Sequence, residues 1–206
     1  MKKKILSIVL TFGLIFSMCA CGGPTPTSTV ETFLDAVKAQ DTETIKTVYE
    51  DEEFSFIGEM DLESEDSTQP QTDKVLNEKM LPKLLEFDYT VSNEQIKENK
   101  ATVDITVTTY NFGPAMTSFF GSYMTQAFAL IFDDNAEAKL DKIGADLLTS
   151  EIDKLTEKNC EKTATITLTA TEDGWVIDEI DDEGKVLDAL TGGMVSSLQA
   201  IDEAFE

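Results

Sequence analysis

Polar and apolar positions change period several times along this chain, and each change marks an element. The apolar positions Val30, Phe33, Leu34 and Val37 recur at helical spacing behind Ser28-Thr29-Val30-Glu31, which has the form of a capping box. This predicts a first helix ending near Lys38. Asp41 is placed to cap a short second helix carrying Ile45, Val48 and Tyr49. Acidic and polar residues then fill Glu50 to Glu53 and Glu59 to Gln71, and the second of these stretches reads as a mobile loop. Helical spacing returns at Val75, Leu76 and Met80. Pro82 removes a backbone donor, so that helix is expected either to end near Leu81 or to begin a new turn there.

Period two takes over at Phe87-Asp88-Tyr89-Thr90-Val91. After a turn at Glu98-Asn99-Lys100, Val103, Ile105 and Val107 alternate with Thr102, Asp104, Thr106 and Thr108. The two runs predict a hairpin. Asn111-Phe112-Gly113-Pro114 ends the second strand, and the chain to about residue 158 reads as two helices, one aromatic and one more charged. Ala164, Ile166, Leu168 and Ala170 then oppose Thr163, Thr165, Thr167 and Thr169, and Asp173-Gly174 turns the chain into Trp175-Val176-Ile177. Asp178 to Glu183 is expected to open and cap a C-terminal helix bearing Val186, Leu187, Leu190, Met194, Leu198 and Ile201, kinked at Gly192-Gly193. Helices first and antiparallel hairpins after them describe an α+β fold with N-terminal helices packed on one face of the sheet.

The N-terminus has a different character. Lys2, Lys3 and Lys4 precede an uncharged stretch from Ile5 to Met18, the form of a secretory signal. The stretch is shorter than the ~20 apolar residues of a membrane-spanning helix. Met18-Cys19-Ala20-Cys21-Gly22-Gly23 resembles a bacterial lipobox. That resemblance implies cleavage before Cys21 and attachment of diacylglycerol to its thiol. Two or more acyl chains anchor a protein stably to a membrane. Cys19 is the competing position, but it follows the bulky Met18, whereas Cys21 follows the small Ala20; Met18 also stands where leucine is usual. The expected organisation is a signal at 1–20, a lipidated cysteine and flexible tether at 21–28, and a single domain at 29–206 with a helical insertion at about 114–158. Extended, the tether would reach roughly 20 Å.

Charge narrows the partners. The net charge is −24, and removal of the three signal lysines leaves 13 lysines against 40 acids, or −27. Nucleic acid is excluded, because its phosphates need clustered cations; cationic partners are favoured. After processing, Cys21 and Cys160 are the cysteines that stay, so no internal disulfide framework forms. With no histidine in the chain, Cys160 reads as structural or incidental rather than nucleophilic.

Three stretches follow one another along the chain: Thr-Val-Glu-Thr-Phe-Leu-Asp-Ala-Val-Lys-Ala-Gln-Asp from Thr29 on the first helix, Lys-Ala-Thr-Val-Asp-Ile-Thr-Val from Lys100 on a middle strand, and Asp-Gly-Trp-Val-Ile-Asp from Asp173 on the closing strand. Their order resembles the cystatin-like lipoproteins, within the superfamily named after nuclear transport factor 2, over residues 29–180 apart from the insertion. The resemblance implies a curved, cone-like sheet wrapped around helices. Enzymes of that superfamily use an acid, a histidine or a tyrosine inside the cone. Histidine is absent here, which leaves an aspartate paired with Tyr49, Tyr89 or Tyr110 as the catalytic alternative on an apolar substrate.

Asp178, Asp181, Asp182 and Glu183 before Gly184 do not meet the spacing of a calcium loop, and no cofactor or metal is expected. The most distinctive segment is Met116 to Phe132, where Phe119, Phe120, Tyr123, Phe128 and Phe132 lie on a wide apolar stripe and no charge occurs before Asp133. Core packing is the first expectation for such a stripe; a pocket lining or an interface is the alternative. The function expected from the whole chain is a non-catalytic, membrane-anchored extracytoplasmic module that binds an apolar or cationic ligand or another envelope protein.

Overall fold

The structure, a computed structural model, describes residues 23–49, 70–180 and 184–204. The signal, Cys21, the acidic stretch from Glu50 and Asp181 to Glu183 lie outside these residues. The α+β expectation holds: helices pack on one face of a four-stranded antiparallel sheet, and a helical insertion separates its second and third strands.

Helix α1 (Pro26–Ala39) starts earlier than its sequence suggests. Its N-cap is Thr25, which accepts from the Ser28 amide, and the Ser28 hydroxyl accepts in return from the Thr25 amide. Pro26, at the first helical position, decides between the two candidate caps, since its fixed φ suits N1 and it has no donor to lose. The last three residues of the expected tether, 26–28, are therefore helix. Asp41 caps α2 (Thr42–Val48) through the Thr44 amide, as expected.

Gln71, placed by the sequence in a loop, instead opens α3 (Gln71–Val75). Asp141, from the insertion, accepts from the Gln71 and Thr72 amides at 3.0 and 3.1 Å and supplies the cap that Pro70 cannot. A π-helical turn (Leu76–Met80) leads directly into α4 (Leu81–Leu85), so Pro82 does not end the helix. The wider turn shifts the hydrogen-bond register just before the residue that cannot donate.

The sheet runs in the order β1 (Asp88–Lys97), β2 (Lys100–Thr109), β3 (Cys160–Ala170), β4 (Trp175–Ile177). A bulge in β1 between Ser92 and Gln95 bends that edge strand, with Asn93 at φ 56°. Val103, Ile105, Val107, Ile166, Leu168 and Ile177 are buried on the inner face, against Val30, Phe33 and Leu34 of α1. The outer face is threonine-rich: Thr106 and Thr163 meet at 3.2 Å, and Thr165 donates to Asp104 at 2.7 Å.

The insertion is a helical hairpin, α5 (Phe112–Ala129) and α6 (Ala136–Lys154). With the α3–α4 segment it builds a second cluster around Met80, Leu84, Tyr110, Phe112, Leu148 and Ile152. The C-terminal helix is broken rather than kinked, into α7 (Lys185–Leu190) and α8 (Met194–Glu203). Gly192 and Gly193 sit at φ 57° and 85°, and a Cβ on Gly192 would lie 1.9 Å from the Tyr110 carbonyl oxygen. Helix α7 begins at Gly184, and Asp178 does not cap it: its carboxylate binds Lys100 at 2.9 Å and the Thr169 hydroxyl.

Candidate functional site

The aromatic stripe of α5 divides into two faces with different surroundings. Phe112 and Ala115 are buried, and Met116 and Phe119 pack against the second cluster. Phe119 stacks on Tyr123 with ring centroids 5.7 Å apart, on the side where Tyr123 approaches Gly144 of α6. For these residues the expectation of core packing is met. It fails further along. Phe128 is 66% exposed, Ile131 65% and Phe132 97%.

Phe120 and Met124 line a groove whose opposite wall is Leu198 and Ile201 of α8, with Asp202 at its end. None of the residues of α8 is fully buried. The two helices start together, because the Gly113 amide donates to the Gly192 carbonyl at 3.1 Å and a Cβ on Gly113 would lie 2.7 Å from the Gly193 oxygen. They run parallel from there. Helix α8 ends at Glu203, whereas α5 continues for several further residues past Met124, so Phe128 and the Ile131-Phe132 turn follow the groove rather than line it. Phe120, Met124 and Phe128 recur every fourth residue and form one continuous strip. The sequence pattern identifies the α5 half of this surface. It misses Leu198 and Ile201, whose helical spacing reads as ordinary core; what they lack among the described residues is a third helix to close over them.

The tyrosines considered for catalysis are dispersed. Tyr49 is buried, and its hydroxyl accepts from the Ile180 amide at 3.0 Å. Tyr89 donates to Asp35 at 2.8 Å across the outer side of α1, and burial together with that carboxylate pushes its phenol well up. Tyr110 donates to Glu86 at 2.8 Å beneath the Lys83 ammonium, which stands 4.3 Å from the ring centroid. The inner face of the sheet between these positions is filled by Phe33, Leu34 and Phe87.

Burial raises the Cys160 thiol above its ordinary range despite nearby Lys162, which disfavours the thiolate. Among the described residues no group of three or more acids and cysteines is arranged to hold a metal ion. No described helix is long and apolar enough to cross a membrane. Comparison with protein-family models, with curated proteins and with solved structures finds no match.

Proposed function

We propose that this chain is a lipid-anchored extracytoplasmic interaction module, non-catalytic, that presents the α5–α8 surface to another protein of the cell envelope. The observation that carries the reading is the uncharged helix α5, whose first turns are core while Phe128 in its last turn and Ile131 and Phe132 in the turn after it stand in water. Fully burying such a side chain is worth roughly 1.5–3 kcal/mol, so three of them held together on one surface favour a partner. Lys2 to Lys4, the apolar run after them and Ala20-Cys21-Gly22 support anchoring at Cys21. The helix α1 lying across the inner face of the sheet supports a cystatin-like arrangement. The filled inner face, and hydroxyls already committed to Asp35, Glu86 and Ile180, favour binding over the cone-type enzyme reading.

The test is site-specific photocrosslinking of the full chain in its native membrane. A crosslinking residue at Phe128 is expected to yield a discrete protein adduct, while one at Thr165 on the threonine face yields none. Adducts at neither position, or equally at both, overturn the proposed surface. Loss of membrane association in Cys21→Ala checks the anchor separately.

A further inference from the structure

The groove between α5 and α8 has a polarity that its apolar walls conceal. Because the helices run parallel, both C-terminal poles, each equivalent to about half a negative charge, point the same way. Neither last turn carries a basic residue. Acids follow instead: Asp202 and Glu203 close α8, and Asp133 and Asp134 follow Phe132. Lys139 engages Asp133 at 2.5 Å, but among the described residues no lysine reaches Asp134, Asp202 or Glu203. The walls themselves are uncharged from Phe112 to Phe132 and from Met194 to Ile201. The apolar trough thus ends at an acid, Asp202, that no lysine compensates among the described residues, whereas Asp133 is held by Lys139 and the Asn135 amide.

We infer that the occupant is an amphipathic helix of a partner protein with lysine or arginine beside its apolar stripe, lying antiparallel to α5 and α8. This rests on the interaction reading above and adds the chemistry of the partner. An antiparallel helix brings its own positive pole, and its basic side chains, to the acidic end. Its apolar residues at every third or fourth position meet Phe120, Met124 and Phe128, a span of about two helical turns. A second copy of this chain is disfavoured, since each copy carries a net charge of −24.

The test uses the full lipidated chain in phosphatidylcholine nanodiscs, with empty discs subtracted. The probes are two fluorescent 18-residue synthetic helical peptides that share one leucine and phenylalanine stripe, one with lysine and the other with glutamate at every polar position. The lysine peptide is expected to bind at least tenfold more tightly. Its affinity should fall at least fivefold in the triple variant D133N/D134N/D202N and be lost in F128S/F132S, whose circular dichroism should match the parent because both side chains are exposed. Equal binding of the two peptides, abolished by F128S/F132S, would keep the surface and overturn the basic partner. Lysine-peptide binding that survives F128S/F132S, or no binding of either peptide, overturns the groove itself. A dimer crosslinked through position 132 without peptide would make a second copy the occupant and sink the proposal.

Discussion

Single residues in this fold are explained by which neighbours satisfy them, and Thr109 is the clearest exception. It ends the inner face of β2, fully buried, and its hydroxyl has no hydrogen-bond partner among the described residues. A buried, unmatched hydroxyl costs roughly 1–3 kcal/mol, whereas valine fills the same volume without it. Thr109→Val is therefore expected to stabilise the protein by about 1 kcal/mol, read as a rise in the urea midpoint at unchanged slope. A fall would mean that the hydroxyl holds a partner such as a bound water. The alternation from Val103 to Val107 places Thr109 inward in sequence terms, so its position is legible there. Its isolation is not, because that depends on the Gly192 backbone folding over it from the far end of the chain.

At the scale of elements, sequence pattern located nearly every helix and strand of the described residues and went astray at their ends. Ser28-to-Glu31 and Thr25-to-Ser28 both offer a capping hydroxyl with a partner three residues on, and Pro26 settles which is used. The Gly192-Gly193 pair announces an interruption, but only the approach of the Tyr110 carbonyl makes it a full break. What then holds α8 in place is Asp188 of α7. Its carboxylate takes Lys162 of β3 at 2.6 Å and the Ser196 amide at 2.7 Å. Burial raises the carboxyl, and the bonds from Lys162 and Ser196 outweigh it, so the net shift is downward. A depressed carboxyl contributes stability above its unfolded pKa of about 4 and loses it as pH falls through the lower folded value. Asp188→Asn keeps an acceptor for Ser196 but gives up the charged pair. It should cost about 2 kcal/mol at pH 7, with the gap to the parent closing below about pH 4. Urea midpoints measured stepwise downward from pH 7 follow this, and a gap that does not narrow as pH falls below about 4 would show that packing, not charge, is lost.

Across the whole molecule, the proposed anchor and the start of the helix that carries the proposed docking surface lie at opposite ends of β2. Pro24 packs against Gly174, and Gly23 lies against Asp173, beside the β1–β2 turn whose Asn99 carbonyl accepts from Ala170. Only three residue steps separate Cys21 from Pro24, a reach of roughly 10 Å. A lipid on Cys21 would therefore hold both hairpin turns close to the headgroups. The strand β2 then carries the chain ten residues away, roughly 30 Å, before α5 begins. Helix α5 starts at that far end of β2 and packs on α6 and α8. A fluorophore on Asn99→Cys is accordingly expected to be strongly quenched by headgroup-labelled lipid in vesicles bearing the lipidated chain, and one on Asn135→Cys hardly at all. Both variants carry Cys160→Ser, so that the fluorophore sits on one thiol of the domain. Equal quenching at the two sites would bring the α5 tip to the bilayer, making lipid rather than a basic helix the surface that covers Phe128 and Phe132. Quenching at neither site would mean that the domain stands off its anchor, against the short tether. The expected asymmetry leaves the apolar groove and its acidic end facing outward, where a partner anchored elsewhere in the envelope can reach them.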